Sequence, residues 1–267
     1  MMRYVRYYLG MMRVSILSQF QYRVSNYFYM IGMIAEPVIY LVVWSTVANA
    51  QGGEVGGYTP AEFAAYYIVW TLVRNMNIVF TPYGWEWRIR QGMLSGELMR
   101  PMHPLHGDVA YFAGWKFVVI LLWLPIALVL SLIFKPDLHP TWYQGVAFFF
   151  ALWGAYLIRT FLLSLLGMLT FWTTRVGAIF ELYFAAELIL SGRLVPMSLM
   201  PPAVQQVAAY LPFQWTFYFP IEALTGNYPP QQLLYGLGMQ LFWIVFGILA
   251  ANRVWKVAIR RFSAVGG

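Results

Sequence analysis

The chain has 267 residues, of which 61% are hydrophobic, 19% aromatic and only 10% charged, with a mean hydropathy of +0.61. Soluble domains carry about 25% charged residues, so this balance excludes an ordinary globular protein, and the continuous rather than alternating apolar runs exclude a β-barrel. The lack of cysteine excludes a disulfide framework, a thiolate metal site and a cysteine nucleophile, while the net charge of +7 sits beside apolar runs and so points to anionic lipid headgroups rather than nucleic acid.

The N-terminal segment, about 1–25, reads as a helix. Arg3, Arg6, Gly10 and Arg13 recur at a 3-4-3 spacing on one face, with Val5, Leu9, Met12, Ile16 and Phe20 elsewhere, as expected of a helix lying in the membrane interface. Six apolar spans follow, at about 27–49, 62–81, 109–134, 142–171, 175–194 and 231–252. Ala48-Asn49-Ala50 resembles a leader-cleavage site. The apolar run before it is too long for a leader core and contains Glu36-Pro37, so it is read as a retained first span with a proline kink. Basic residues cluster before the first span (Arg3, Arg6, Arg13, Arg23), after the second (Arg88, Arg90, Arg100), after the fourth (Arg175) and at the end (Arg253, Lys256, Arg260, Arg261). The alternate loops hold only Lys135 and Arg193, which places both termini in the cytoplasm and agrees with an even number of spans.

Between spans two and three lies the only well-charged loop, Trp85-Glu86-Trp87-Arg88-Ile89-Arg90-Gln91-Gly92-Met93-Leu94-Ser95-Gly96-Glu97-Leu98-Met99-Arg100-Pro101. It reads as a short amphipathic helix, of a size suited to docking a soluble partner, with Gly92 and Gly96 permitting close approach. His103, His106 and Asp108 stand close together, but Pro104 interrupts regular helix between the histidines and no further donor is nearby, so a metal site is not expected. Met93 and Met99 read as partner-facing or core residues rather than metal ligands.

Four ionisable residues fall well inside spans: Glu36, Arg74, Arg159 and Glu187. Left against lipid each would cost several kcal/mol, about 3 or more on insertion scales, so they are expected to face the bundle and pair with one another, either lining a pathway or fixing helix packing. Lys116 and Glu181 lie nearer the cytoplasmic ends, and Asn75 and Asn77 beside Arg74 make the densest polar cluster within a span. After span five, Leu194-Val195-Pro196 to Pro201-Pro202, Leu211-Pro212-Phe213, Pro220 and Gly226-Asn227 form an apolar but proline-broken segment. Two short re-entrant helices dipping in from the outer face suit it, because irregular backbone at membrane depth needs protein or water to cover it. The aromatic residues Trp142, Tyr143, Trp215, Phe217, Tyr218 and Phe219 read as an interfacial belt. The phosphate-binding pattern G-x-x-x-x-G-K-[ST] is absent, so ATP hydrolysis is not expected of this chain.

In their order, these elements resemble the ABC-2 type exporter permeases. Ile89-Arg90-Gln91-Gly92-Met93-Leu94 through Leu98-Met99-Arg100-Pro101 is similar to their coupling segment, and Ser191-Gly192-Arg193-Leu194-Val195-Pro196 with Met200-Pro201 and Leu211-Pro212-Phe213 to their region before the last span. The resemblance implies an all-α permease domain over 1–267, with an interfacial elbow at 1–25, a coupling helix at 86–100 and outer gate helices at 195–226. It implies a multi-pass protein of the inner membrane, paired with a second copy or a related permease, that exports an amphiphilic substrate such as a drug, lipid or glycan precursor. Two ATP-binding cassette subunits would carry the ATP and magnesium, and this chain would bind no cofactor. Glu86, Arg88, Ile89, Arg90, Gly92, Met93, Leu94, Gly96 and Glu97 would meet the ATPase subunit. Glu36, Arg74, Asn75, Asn77, Arg159, Glu187, Pro212 and Phe213 would line the pathway or gate. An ion-coupled carrier using Glu36 or Glu187 as a proton site, and a non-transporting scaffold, are the competing readings.

Overall fold

A computed structural model describes residues 2–173 and 176–262. Arg175, part of the charge pattern above, lies outside them. Within the described residues the chain is helical, and the only β pairing is an isolated bridge between Val55 and Tyr58 in a glycine-rich turn.

The chain opens with α1 (Met2–Gln21), followed by α2 (Arg23–Ala50), which carries Pro37, and α3 (Pro60–Met76). Helix α3 starts on a reciprocal cap: the Thr59 hydroxyl accepts from the Glu62 amide, the Glu62 carboxylate accepts from the Thr59 amide, and Pro60 occupies the first turn, where no donor is needed. Of its 17 residues, 13 are buried, so α3 is the axis around which the bundle is built. Residues 77–81 are not helical, and α4 (Pro82–Arg90) then begins on a second Thr-Pro cap at Thr81. A turn at 91–93 leads to α5 (Leu94–Leu98). The long helices α6 (Pro104–Phe134) and α7 (Trp142–Met168) follow. Next come α8 (Gly177–Leu190), α9 (Pro202–Tyr210), α10 (Tyr218–Thr225) and α11 (Pro230–Ala258).

Among the described residues four helical stretches are long and apolar enough to cross a membrane: Arg23–Ala50, Pro104–Phe134, Trp142–Phe171 and Pro230–Arg261. The expected second and fifth spans are shorter as helices, because α3 ends at Met76 and α8 holds 14 residues. At a rise of about 1.5 Å per residue α8 is only about 21 Å long. The segment expected to form one helix over 86–100 is two short helices, because Gly92 takes a left-handed conformation (φ 69°) that breaks the run. The proline-broken stretch after α8 does contain two short helices, α9 and α10.

Small residues set the helix contacts. α1 does not merely lie beside the bundle. Its Met12 backbone crosses α6 at Gly114, where a Cβ would fall 2.5 Å from the Met12 carbonyl oxygen. Accordingly Met12 and Ile16 turn inward, whereas Val5, Leu9 and Phe20 remain exposed. α11 packs on α7, and Gln240 of α11 crosses to donate to the Ala151 carbonyl (3.0 Å) and to the Trp215 carbonyl (2.8 Å). α4 seats on α7 where Gly167 faces the Trp85 side chain. By contrast α2 packs chiefly on α3, and α8 buries only Phe180 and Glu187.

Candidate functional site: a charged network and an anchored elbow

Within the helical bundle the five residues Glu36, Arg74, Arg159, Glu187 and Arg193 form one connected network. Glu36 of α2 pairs with Arg74 of α3. On α7, the Arg159 guanidinium grips Glu187 of α8 with two parallel bonds, Nε to Oε1 and Nη2 to Oε2, each 2.8 Å. Its remaining Nη1 donates to the Asn77 carbonyl at 2.6 Å. Arg193, just beyond α8, lies between the two pairs, 3.4 Å from Glu36 and 3.6 Å from Glu187. Bidentate geometry of the Arg159–Glu187 kind is the strong form of an ion pair, and desolvated carboxylates in a bundle require such partners.

Arg193 reaches this depth because the backbone after α8 stops being helical and is held by α3. Gly192 adopts φ 80°, the Tyr66 hydroxyl donates to its carbonyl (2.8 Å), and the Tyr67 hydroxyl donates to the Leu194 carbonyl (3.1 Å). The Tyr218 amide donates to the Ser191 carbonyl at 2.9 Å. These bonds meet the requirement that irregular backbone among membrane helices find protein partners. Aromatic faces complete the surroundings: the Arg193 guanidinium lies 5.3 Å from the Phe217 ring and 5.9 Å from Trp70, and Arg74 lies 5.2 Å from Trp70.

The other residues anticipated for a pathway divide. Asn77 joins the network through its carbonyl, and its side-chain amide donates to the Thr216 carbonyl (2.5 Å). Asn75 turns back into its own helix, donating to the Thr71 carbonyl. Pro212 is buried, and Phe213 stacks edge-on against Tyr183 of α8 with ring centres 5.4 Å apart. By its place in the charge pattern Arg193 reads as an outer-loop residue, and it does stand just beyond α8, in the non-helical turn at Gly192. Lys116 is fully buried. Its ammonium donates to the Ile78 carbonyl and faces the rings of Trp115 and Tyr156 at 5.4 and 5.1 Å.

At the opposite end of residues 77–81 a second cluster anchors the α4–α5 elbow. Arg88 is buried, with its guanidinium 4.3 Å from the Phe80 ring and 4.4 Å from Trp85, and bonded to Glu97 of α5 (2.6 Å) and Asp108 of α6 (2.9 Å). Burial favours the neutral form of a guanidinium, but the two carboxylates outweigh it and hold Arg88 firmly charged. Arg88, Glu97 and the buried Leu94 therefore hold the elbow together from inside. Arg88 and Glu97 border a cavity of about 270 Å³ shared with Tyr7 and Met11 of α1. The face turned outward is different: Trp87 (55% exposed), Met93 (50%) and Met99 (88%), with Arg90, Gln91 and Gly96 also at the surface. Glu86 and Ile89 are half-buried, Glu86 pairing with Arg90 at 2.8 Å.

His103 caps α6: its Nδ1 accepts from the Leu105 amide (3.2 Å), and its ring rests on Trp255 with centres 4.4 Å apart. Burial, reinforced by neighbouring His106, pushes its pKa down to about 4. Between about pH 6.5, the ordinary histidine value, and pH 4 the unfolded chain takes up a proton that the folded one refuses. Stability is therefore expected to fall as pH is lowered through that window. His103→Asn keeps an acceptor at the cap but does not titrate. Thermal unfolding followed from pH 7 to 4.5 should show a shallower loss for the variant than for the parent.

The geometry of a helical bundle with internal charge pairs and an anchored α4–α5 elbow suits a membrane permease. A family model described as ABC-2 family transporter protein matches residues 34–266, and the chain belongs to that family. It is a multi-pass membrane protein with a permease role in ABC transport, a family whose members are transmembrane components that work with ATP-binding cassette subunits. No curated protein matches the chain.

Proposed function

We propose that this chain is the transmembrane subunit of an ATP-driven exporter of an amphiphilic substrate, powered by two separate ATP-binding subunits. The observation that carries the reading is the α4–α5 elbow. Its apolar outer face, Trp87, Met93, Leu98 and Met99, is left exposed by the described residues, while its inner face is fixed by Arg88 to α6. Exposed methionine and aromatic side chains on a rigid support suit a partner's groove. In this reading α3 and α8 complete six crossings with α2, α6, α7 and α11. Both termini lie on the cytoplasmic side of the inner membrane, and α9 and α10 form the outer closure. The weakly packed faces of α2 and α8 suit a second permease copy or a related permease, with the charged network beside that seam.

The test is a double substitution on the outer face, Met93→Glu with Met99→Glu. Both side chains are exposed, so thermal stability should stay within about 0.5 kcal/mol of the parent. Recovery of a P-loop subunit in mild-detergent pull-downs, and the ATPase activity of the complex, should fall about tenfold or more, as expected where anchor residues are lost. Unchanged ATPase and recovery would remove the elbow from the coupling role. Recovery of the parent chain with no P-loop subunit at all would favour an ion-coupled carrier instead.

A further inference from the structure

The internal network does not balance. Three guanidinium groups, Arg74, Arg159 and Arg193, face two carboxylates, Glu36 and Glu187, and among the described residues no third acid lies within 4 Å of them. Arg159 and Arg74 each have a closely bonded carboxylate. The surplus falls on Arg193. Its two contacts, 3.4 and 3.6 Å, are too long for charge-assisted hydrogen bonds of normal length. Its buried Nε has no hydrogen-bond partner, although only 15% of the side chain is exposed. A cation buried among membrane helices with its donors unfilled is costly unless an acceptor arrives.

The site can be reached. Glu36 and Arg74 keep 30% and 20% of their side chains exposed, and α8 buries only Phe180 and Glu187 among the described residues. Beside Arg193 stand the Trp70 and Phe217 rings, and the neighbouring α2 face presents exposed Ile39, Val42 and Val43. The site therefore offers a forked donor for an acid group next to apolar surface for a tail. The forked guanidinium matches the oxygens of a phosphate or carboxylate rather than a quaternary ammonium.

We infer that Arg193 receives the acid group of an anionic amphiphile, a phosphate or carboxylate carried on an apolar chain, with its tail toward α2. The inference rests on the permease reading above and supplies the substrate class for it. The acid group reaches that depth either as cargo or as the headgroup of a resident anionic lipid.

The experiment measures equilibrium binding of two probes of equal tail length, dodecyl phosphate and dodecyltrimethylammonium, to the full chain in phosphatidylcholine nanodiscs. The parent should bind the phosphate about tenfold more tightly or better, the scale of one charge-assisted contact. Arg193→Gln should erase that preference and leave ammonium binding where it was. Arg193→Lys, which restores charge without the fork, should recover it in part. Since Glu36 and Glu187 keep Arg74 and Arg159, these variants retain both close pairs, and unchanged unfolding temperature checks this. Equal binding of the two probes by the parent, or phosphate binding unaffected in Arg193→Gln, would overturn the assignment. ATP-dependent movement of the phosphate in vesicles holding the complete transporter marks cargo. Displacement by phosphatidylglycerol without such movement marks a resident lipid, and both support the headgroup chemistry. Binding is read on the permease alone, so a charge-blind site beside intact coupling defeats only this inference. An anion-selective chain that recovers no ATPase subunit defeats the exporter reading instead.

Discussion

Glu187→Ala is expected to be among the most damaging single substitutions in this chain. The carboxylate is fully buried and takes two bonds from Arg159 and a looser contact from Arg193. Removing it leaves two guanidinium groups facing each other in the bundle, a loss of about 3–5 kcal/mol where a buried pair is broken from one side. Thermal unfolding of the purified protein should shift down by about 6–20 °C, using about 2–4 °C per kcal/mol for a chain of this size. The double variant Arg159→Met with Glu187→Leu removes the pair as a unit and should recover part of that loss. Transport need not return with stability, because Arg159 also holds the Asn77 carbonyl. A double variant no more stable than Glu187→Ala would show that the pair is not the unit described.

The second large effect is expected at Arg88. Arg88→Met strands Glu97 and Asp108 without their shared cation and removes the guanidinium layered against Phe80 and Trp85. The same one-sided penalty of about 3–5 kcal/mol applies, and it falls on the joint between α4, α5 and α6. The elbow should loosen before the long helices do. Limited proteolysis near residues 91–101 should therefore become about tenfold faster or more, since each 1.4 kcal/mol of lost local stability raises the opened population tenfold. Neutralising the acids together with the arginine, Arg88→Met with Glu97→Gln and Asp108→Asn, should slow cleavage again. Equal cleavage rates for parent and Arg88→Met would mean that the elbow is held by other contacts.

Much of this arrangement is legible in the amino-acid order. Apolar runs bounded by Thr-Pro or Pro-Pro mark where α3, α4 and α11 begin, because proline fits the first helical turn and threonine caps it. The ionisable residues within apolar runs had to find one another, and Glu36 meets Arg74 as Arg159 meets Glu187. Two things were hidden. The resemblance alone assigns Arg88 and Glu97 to the segment that meets the ATPase subunit, and nothing local shows that the break at Gly92 turns α5 so that the two bond to each other. Arg193 read as a loop charge, because nothing local reveals that the Tyr66 and Tyr67 hydroxyls, over 120 residues earlier, hold its backbone within the bundle. Hydrogen bonds between distant segments, unlike helix caps, leave no local pattern.

Residues 77–81 give the molecule a mechanical property beyond the linking of two helices. At one end Asn77 is tied to Arg159 and to the Thr216 carbonyl, and at the other Thr81 caps α4, whose Trp85 rests on Gly167 of α7. The same helix, α7, thus grips both ends of a five-residue tether. A push delivered to α4 cannot be absorbed by winding or unwinding a long helix. It meets the arginine network after a single short lever arm, with α7 as the fulcrum.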